Sequence, residues 1–195
     1  MCLRRIEVLA FKNVEEVYLA IVKKLKIRPN HLTLLGLCLA LATPLAAYAN
    51  NAIIVAVLIV LSSLADALDG YTARVLKATS KWGAFLDSTA DRVADSMFVL
   101  SFMLLGLSPT ICYLLLTFSL LVSYTRARGE ALGTTFKGVG IIERQERAVL
   151  FILIAFLIAY DKQVAEIGAI VTLAFTVITV IQRVLHAKKR LTEVE

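Results

Sequence analysis

The chain has 195 residues, of which 59% are apolar and only 18% charged, against an apolar share of about 45–50% in soluble proteins even with glycine counted. That balance excludes a disordered polar chain and a highly solvated bundle, and it marks a membrane protein. The net charge of +6, from 21 Lys and Arg against 15 Asp and Glu, belongs in such a chain to cytoplasmic loops and not to a nucleic-acid surface. Cys2, Cys38 and Cys112 are far apart, with no C-x-x-C pair, and give neither a zinc site nor a disulfide framework. Cys38 and Cys112 fall inside apolar runs and read as small buried residues.

From the amino terminus, Ile6, Leu9, Val14, Val17, Ile21 and Leu25 recur at helical spacing with Arg4, Arg5, Lys12, Lys23 and Lys24 between them. The pattern predicts an amphipathic helix over 1–28 lying in the membrane interface; a solvated helix covering the loops is the other reading. Arg28-Pro29-Asn30 ends it. Residues 29–195 then form one domain of six spans, near 31–49, 51–75, 82–107, 109–127, 146–161 and 163–186. Asn50-Asn51, Ser108-Pro109 and Asp161-Lys162 turn the chain within each consecutive pair, which makes those pairs antiparallel neighbours. The expected fold is therefore all-α, with six transmembrane helices preceded by an interfacial one.

Lys and Arg number seven in residues 1–30, three in 74–81, five in 126–147 and four from Arg183 onward, while the opposite side has only Lys162. By the positive-inside rule both termini and the two longer connections are cytoplasmic, so the sequence predicts an integral membrane protein with a cytoplasmic site.

Five aspartates break the apolar pattern. Asp66 and Asp69 share one face of the second span, and Asp87, Asp91 and Asp95 form a stripe four residues apart on the third. A carboxylate at membrane depth costs at least about 2.5–3.5 kcal/mol, and converging carboxylates repel unless cations lie between them. Oxygen ligands without His or Cys suit a hard cation, Mg²⁺ or Mn²⁺ and less specifically Ca²⁺, and four carboxylates leave charge for two ions. Mg²⁺ keeps positions open for phosphate oxygens, which points to phosphoryl chemistry. Gly70, Ala73 and Gly83 beside the acids let a ligand or a helix approach the backbone, and Arg74 is placed to clamp a phosphate. A cation transporter would also carry intramembrane acids, but nearer the midplane.

The run Asp66-x-x-Asp69-Gly70-x-x-Ala73-Arg74, eight residues, Gly83-x-x-x-Asp87-x-x-x-Asp91 resembles the signature of the CDP-alcohol phosphatidyltransferase family at every position. The resemblance implies transfer of a lipid phosphate from a CDP-lipid to an alcohol, with release of CMP. It assigns the metals to Asp66, Asp69, Asp87 and Asp91, with Asp91 also taking the proton of the attacking hydroxyl. Gly70, Ala73, Arg74 and Gly83, with Asp66 and Asp69, would hold the nucleotide. Asn30 and Thr33, in a Pro-Asn-x-x-Thr segment similar to that of relatives, either join them or simply start the helix. A homodimer is also implied.

Arginines cluster at three cytoplasmic helix ends, in Arg126-Ala127-Arg128-Gly129-Glu130, Glu143-Arg144-Gln145-Glu146-Arg147 and Gln182-Arg183. They make a cage for a second, soluble phosphate, or else only reflect topology. The segments resemble the inositol-phosphate branch of the family, with Arg126 in place of a lysine and Gly129 in place of an alanine. That resemblance implies that Arg126, Arg128, Arg144 and Arg183 hold the phosphate of inositol 1-phosphate, with phosphatidyl or archaetidyl lipid as the other partner. The alternative acceptor is glycerol 3-phosphate, although the Ser-Arg-Glu run of relatives that use it is missing. Asp95 lies outside the signature, and pairing with Arg92 or another buried base competes with a catalytic role.

Overall fold

The structure, a computed structural model, describes residues 28–192 together with Tyr18, Val22 and Lys24. The interfacial helix expected over 1–28 thus lies outside the described residues, except that Val22 is buried and the hydroxyls of Tyr18 and Thr72 share a 2.6 Å hydrogen bond. Among the described residues there are six helices and no strand: α1 (Pro29–Tyr48), α2 (Ala52–Val75), α3 (Lys81–Leu104), α4 (Pro109–Ala131), α5 (Arg144–Tyr160) and α6 (Lys162–Thr192). Helices α4 and α6 run a turn or more beyond the apolar segments read from the sequence. Arg, Lys and Glu, which follow those segments, are good helix formers and carry the backbone on into the polar zone.

Local chemistry sets the helix ends. Pro29 and Pro109 occupy first-turn positions, where their missing N–H costs nothing. The Asn51 side chain accepts from Ile54 N at 3.1 Å to start α2, Ser80 Oγ accepts from Gly83 N at 2.9 Å to start α3, and Asp161 Oδ1 accepts from Gln163 N at 2.8 Å at the α5–α6 junction. Pro44, inside α1, cannot donate to Ala40 O; the Thr43 hydroxyl does so instead at 2.7 Å, leaving no orphaned carbonyl in an apolar setting.

Helices α1, α2, α4 and α6 are long and apolar enough to cross a membrane. Helix α3 carries Lys81, Asp87, Asp91, Arg92 and Asp95, and α5 has only 17 residues. The pairs α1–α2, α3–α4 and α5–α6 pack together as their short connections require. Between the aspartate-bearing helices the arrangement is less direct than a short loop suggests: α1 packs broadly on both α2 and α3, which touch each other sparingly. Gly36 makes this seating close, because a Cβ there would stand 3.2 Å from Ser62 O, and Ser62 Oγ donates to Gly36 O at 2.8 Å. On the other side of α1, Ser101 Oγ of α3 donates to Thr43 Oγ1 at 2.9 Å.

Further along, Phe102 of α3 and Phe151 of α5 meet edge to face within one buried cluster that also takes in Ile59, Leu115 and Ala169. Large apolar side chains such as Leu45, Ile53, Phe156 and Ile167 point outward. Cys38 is among the exposed residues, contrary to the reading of it as buried, whereas Cys112 is buried. Lipid tails are as apolar as a core, so an apolar run does not reveal which of its positions face inward.

Candidate active site

The five aspartates of α2 and α3 lie toward one end of the bundle, where α2 closes and α3 begins. Asp66 and Asp69, one helical turn apart, face Asp87 across the gap, and one carboxylate oxygen from each of the three lies within 4.8 Å of the others. Thr33, in the first turns of α1, donates its hydroxyl to Asp69 Oδ2 at 2.6 Å. Helix α1 thus fixes the most buried member of the trio.

Beside this trio opens a cavity of about 270 Å³, large enough for part of a nucleotide but not for a whole lipid. Its lining includes Asn30 and Thr33 of α1, Asp69, Gly70, Ala73 and Arg74 of α2, and Gly83 and Asp87 of α3. Every residue expected to hold the nucleotide is therefore here except Asp66, which lies in an adjoining cleft with Thr33, Asp91 and Arg144. A Cβ on Gly83 would come within 3.0 Å of Ser80 Oγ and 3.3 Å of Asn30 Oδ1, so a side chain at that position would crowd the cavity wall.

A second cavity, of about 350 Å³, lies on the other side of α3. Ser88, Asp91 and Arg92 of α3 line it, with Ser123, Arg126 and Glu130 of α4, Arg144 and Arg147 of α5, and Arg183 of α6. Asp87 faces the first cavity and Asp91, one turn later, faces the second. Of the four arginines expected at an acceptor phosphate, Arg126, Arg144 and Arg183 line this cavity; Arg128 is exposed on α4 and is not part of the lining.

The arginines are held in different ways. Arg144 reaches into the carboxylate cluster, with Nη1 on Asp66 Oδ2 at 2.5 Å and Nη2 on Asp91 Oδ1 at 2.8 Å, while its buried Nε has no partner. Arg183 donates from Nε to Val139 O at 3.1 Å and from Nη1 to Val122 O at 2.5 Å, which ties the 132–143 connection to α4 and α6. Arg126 pairs with Glu130 at 2.9 Å. Arg147, which the sequence reading did not select, is 1% exposed and pairs with Asp95 at 2.6 Å, so the buried base that competed for Asp95 is Arg147, while Arg92 approaches Asp91 at 3.5 Å. Its place three residues after Arg144 was the available signal.

The same connection accounts for Gly129. The Phe136 ring fills the space over it, since a Cβ on Gly129 would stand 2.1 Å from that ring. The ring also packs against His186, whose Nε2 is 3.0 Å from Thr135 O.

The CDP-alcohol phosphatidyltransferase family profile matches residues 26–181, which takes in the lining of the first cavity and that of the second up to Arg147, with Arg183 just beyond it. The chain belongs to the CDP-alcohol phosphatidyltransferase family. It is 39% identical over 168 residues to an archaetidylinositol phosphate synthase of Pyrococcus horikoshii, covering 86% of this chain and 87% of that one. Its fold matches that of the Mycobacterium tuberculosis phosphatidylinositol phosphate synthase with CDP-DAG bound, with a TM-score of 0.74, 26% identity, and 85% and 89% of the two chains covered. The same mycobacterial enzyme in complex with manganese and citrate matches with a TM-score of 0.73 at 26% identity, over 85% of each chain.

The transferase is thus an integral membrane enzyme in which three of the four expected metal ligands, Asp66, Asp69 and Asp87, converge, while Asp91 stands outside that trio and is linked to Asp66 through Arg144. The donor set of this phosphatidyltransferase fits a divalent cation: three carboxylates converge without His or Cys, and the one guanidinium among them, Arg144, touches Asp66 but neither Asp69 nor Asp87.

Proposed function

We propose that this enzyme moves a phosphatidyl or archaetidyl group from a CDP-lipid to a hydroxyl of inositol 1-phosphate, releasing CMP. The observation that carries the reading is the division at α3. One carboxylate-edged cavity of small residues and one arginine-lined cavity open on neighbouring aspartates of α3, Asp87 and Asp91, as two phosphorylated substrates require. The likeness to archaetidylinositol phosphate and phosphatidylinositol phosphate synthases favours the acceptor.

In this reading Asp66, Asp69, Asp87 and Asp91 hold two Mg²⁺ ions, with Mn²⁺ as a substitute. Bound there, the metal offsets pyrophosphate charge and stabilises the CMP leaving group. Gly70, Ala73 and Gly83 let the nucleotide lie against backbone, Asn30 and Thr33 flank it, and Arg74 reaches its phosphate. Arg144, Arg126 and Arg147 hold the acceptor phosphate, while Arg183, two of whose nitrogens already serve carbonyls, contributes what remains of its fork.

Asp91 accepts the proton of the inositol hydroxyl as that oxygen attacks the lipid-side phosphorus. The new P–O bond forms as the bond to the CMP oxygen breaks, so no covalent enzyme intermediate is needed. All six helices span the bilayer in this reading, with the 17-residue α5 near the lower limit of about 17–25 residues for a spanning helix. Both termini and both cavities face the cytoplasm, consistent with the basic residues at the aspartate end.

The test is CMP release by the purified enzyme from CDP-lipid plus inositol 1-phosphate, compared with free inositol, glycerol 3-phosphate and serine. Turnover with inositol 1-phosphate is expected, and turnover with glycerol 3-phosphate alone would replace the acceptor.

A further inference from the structure

Asp95 lies one turn beyond Asp91 on α3, outside the eight-residue signature, and is 4% exposed. It does not belong to the metal-competent trio and lines neither cavity. Among the described residues its side chain pairs with Arg147 of α5, through a 2.6 Å contact between Oδ2 and Nη2. Arg147 is 1% exposed and lines the second cavity, yet its Nε and Nη1 are buried with no hydrogen-bond partner among the described residues.

A buried guanidinium left two nitrogens short is costly unless something else satisfies them. Packing alone gives no reason to retain it. An apolar side chain of similar size would fill the same space without the desolvation penalty of either charge. The unpartnered nitrogens are therefore the informative feature, because an anionic oxygen in the adjoining cavity is the group they lack.

We infer that Asp95 is a positioning residue for the acceptor: by holding Nη2 of Arg147, it sets the guanidinium so that its remaining nitrogens serve the acceptor phosphate. This rests on the assignment of the second cavity to that phosphate. Neighbouring Arg144 is bound at both terminal nitrogens by Asp66 and Asp91, whereas a single carboxylate oxygen holds Arg147. Before the acceptor arrives Asp95 is also the counter-charge that makes the buried arginine tolerable. Rotation of the guanidinium would take its donors away from the phosphate without disturbing the nucleotide side of α3.

The test compares the full-length wild type with Asp95→Asn, Asp95→Glu, Arg147→Met and the double variant Asp95→Asn/Arg147→Met, each in detergent with CDP-lipid and inositol 1-phosphate. Binding of CDP-lipid by calorimetry reports folding independently of turnover. Asp95→Asn is expected to raise the acceptor KM about tenfold or more, with the CDP-lipid KM and binding within about twofold. Asp95→Glu should recover part of the loss. The double variant should be little worse than Arg147→Met, because both changes remove one interaction.

Equal changes in both KM values, an unchanged acceptor KM, or multiplying effects in the double variant would overturn the inference. Should Asp95→Asn fail to fold, Asp95→Glu and Arg147→Lys carry the comparison: both keep the charge pair and alter donor placement, and an unchanged acceptor KM in both would be equally fatal. If wild type turns over only glycerol 3-phosphate, the choice of acceptor fails by itself, and the same variants are read against that substrate.

Discussion

The two cavities that share α3 are built on opposite principles. The first is walled by residues from a short stretch of chain, 69–87, plus the start of α1, and gains its space from small side chains and exposed backbone. The second draws on four helices, with residues spread from Ser88 to Arg183, and gains its character from arginines already engaged with carboxylates or carbonyls. One is a recess waiting for a polyphosphate and its counter-ions. The other is a set of cations held in place by internal anions, so that an incoming phosphate must compete with Asp66 and Asp91 for Arg144. On the proposed assignment, the contrast teaches how one end of a bundle would keep two anionic substrates apart while letting their reacting groups meet at Asp87 and Asp91.

The largest expected effect lies at the boundary between them. Asp91→Asn should cut transfer by about 10²–10⁴-fold, the range of a lost general base, while CDP-lipid binding changes little. Substantial residual activity in single-turnover assays would remove Asp91 from proton transfer. On the second side, Arg144→Met should raise the acceptor KM by about 30-fold or more, since it deletes a charge-assisted contact, and should shift the CDP-lipid KM far less. A larger rise in the CDP-lipid KM would place Arg144 with the nucleotide and blur the division.

On the first side, Thr33→Val removes the hydrogen bond to Asp69, worth about 1.5–3 kcal/mol where a charged group accepts it. Titration of activity with Mg²⁺ should show a severalfold higher metal requirement, with the acceptor KM unchanged. The smallest effect is structural. Gly129→Ala must displace the Phe136 ring and should cost about 1–3 kcal/mol, read as a lower Tm in detergent.

The same contrast explains what was legible in the sequence. The first cavity could be read because Asp69, Gly70, Ala73, Arg74, Gly83 and Asp87 sit at helical spacing on two consecutive helices and match the family signature, which implied their role. The second was legible only in outline, as basic helix ends. Nothing in spacing shows that Arg128 lies outside the cavity or that Arg183 spends two nitrogens on the carbonyls of Val122 and Val139, and only the three-residue step from Arg144 points to Arg147. Those outcomes depend on how α4, α5 and α6 rotate against one another, and lipid and core are equally apolar to a hydropathy pattern. The six helices were visible because turn residues punctuate apolar runs. Their polar ends were less so, since strong helix formers such as Arg144 and Lys188 extend a helix beyond its apolar part. The wedge of α1 between α2 and α3 depends on small residues such as Gly36, whose partners a sequence does not name.

The division of labour is tested most directly by filling each cavity separately. Ala73 lines the first and Ala127 the second, so Ala73→Leu and Ala127→Leu each add bulk to one wall without touching a charged group. Steady-state kinetics varying both substrates should show a raised CDP-lipid KM with the first substitution and a raised acceptor KM with the second, each leaving the other constant nearly unchanged. If both substitutions raise the same KM, the two cavities do not serve separate substrates and the account is contradicted.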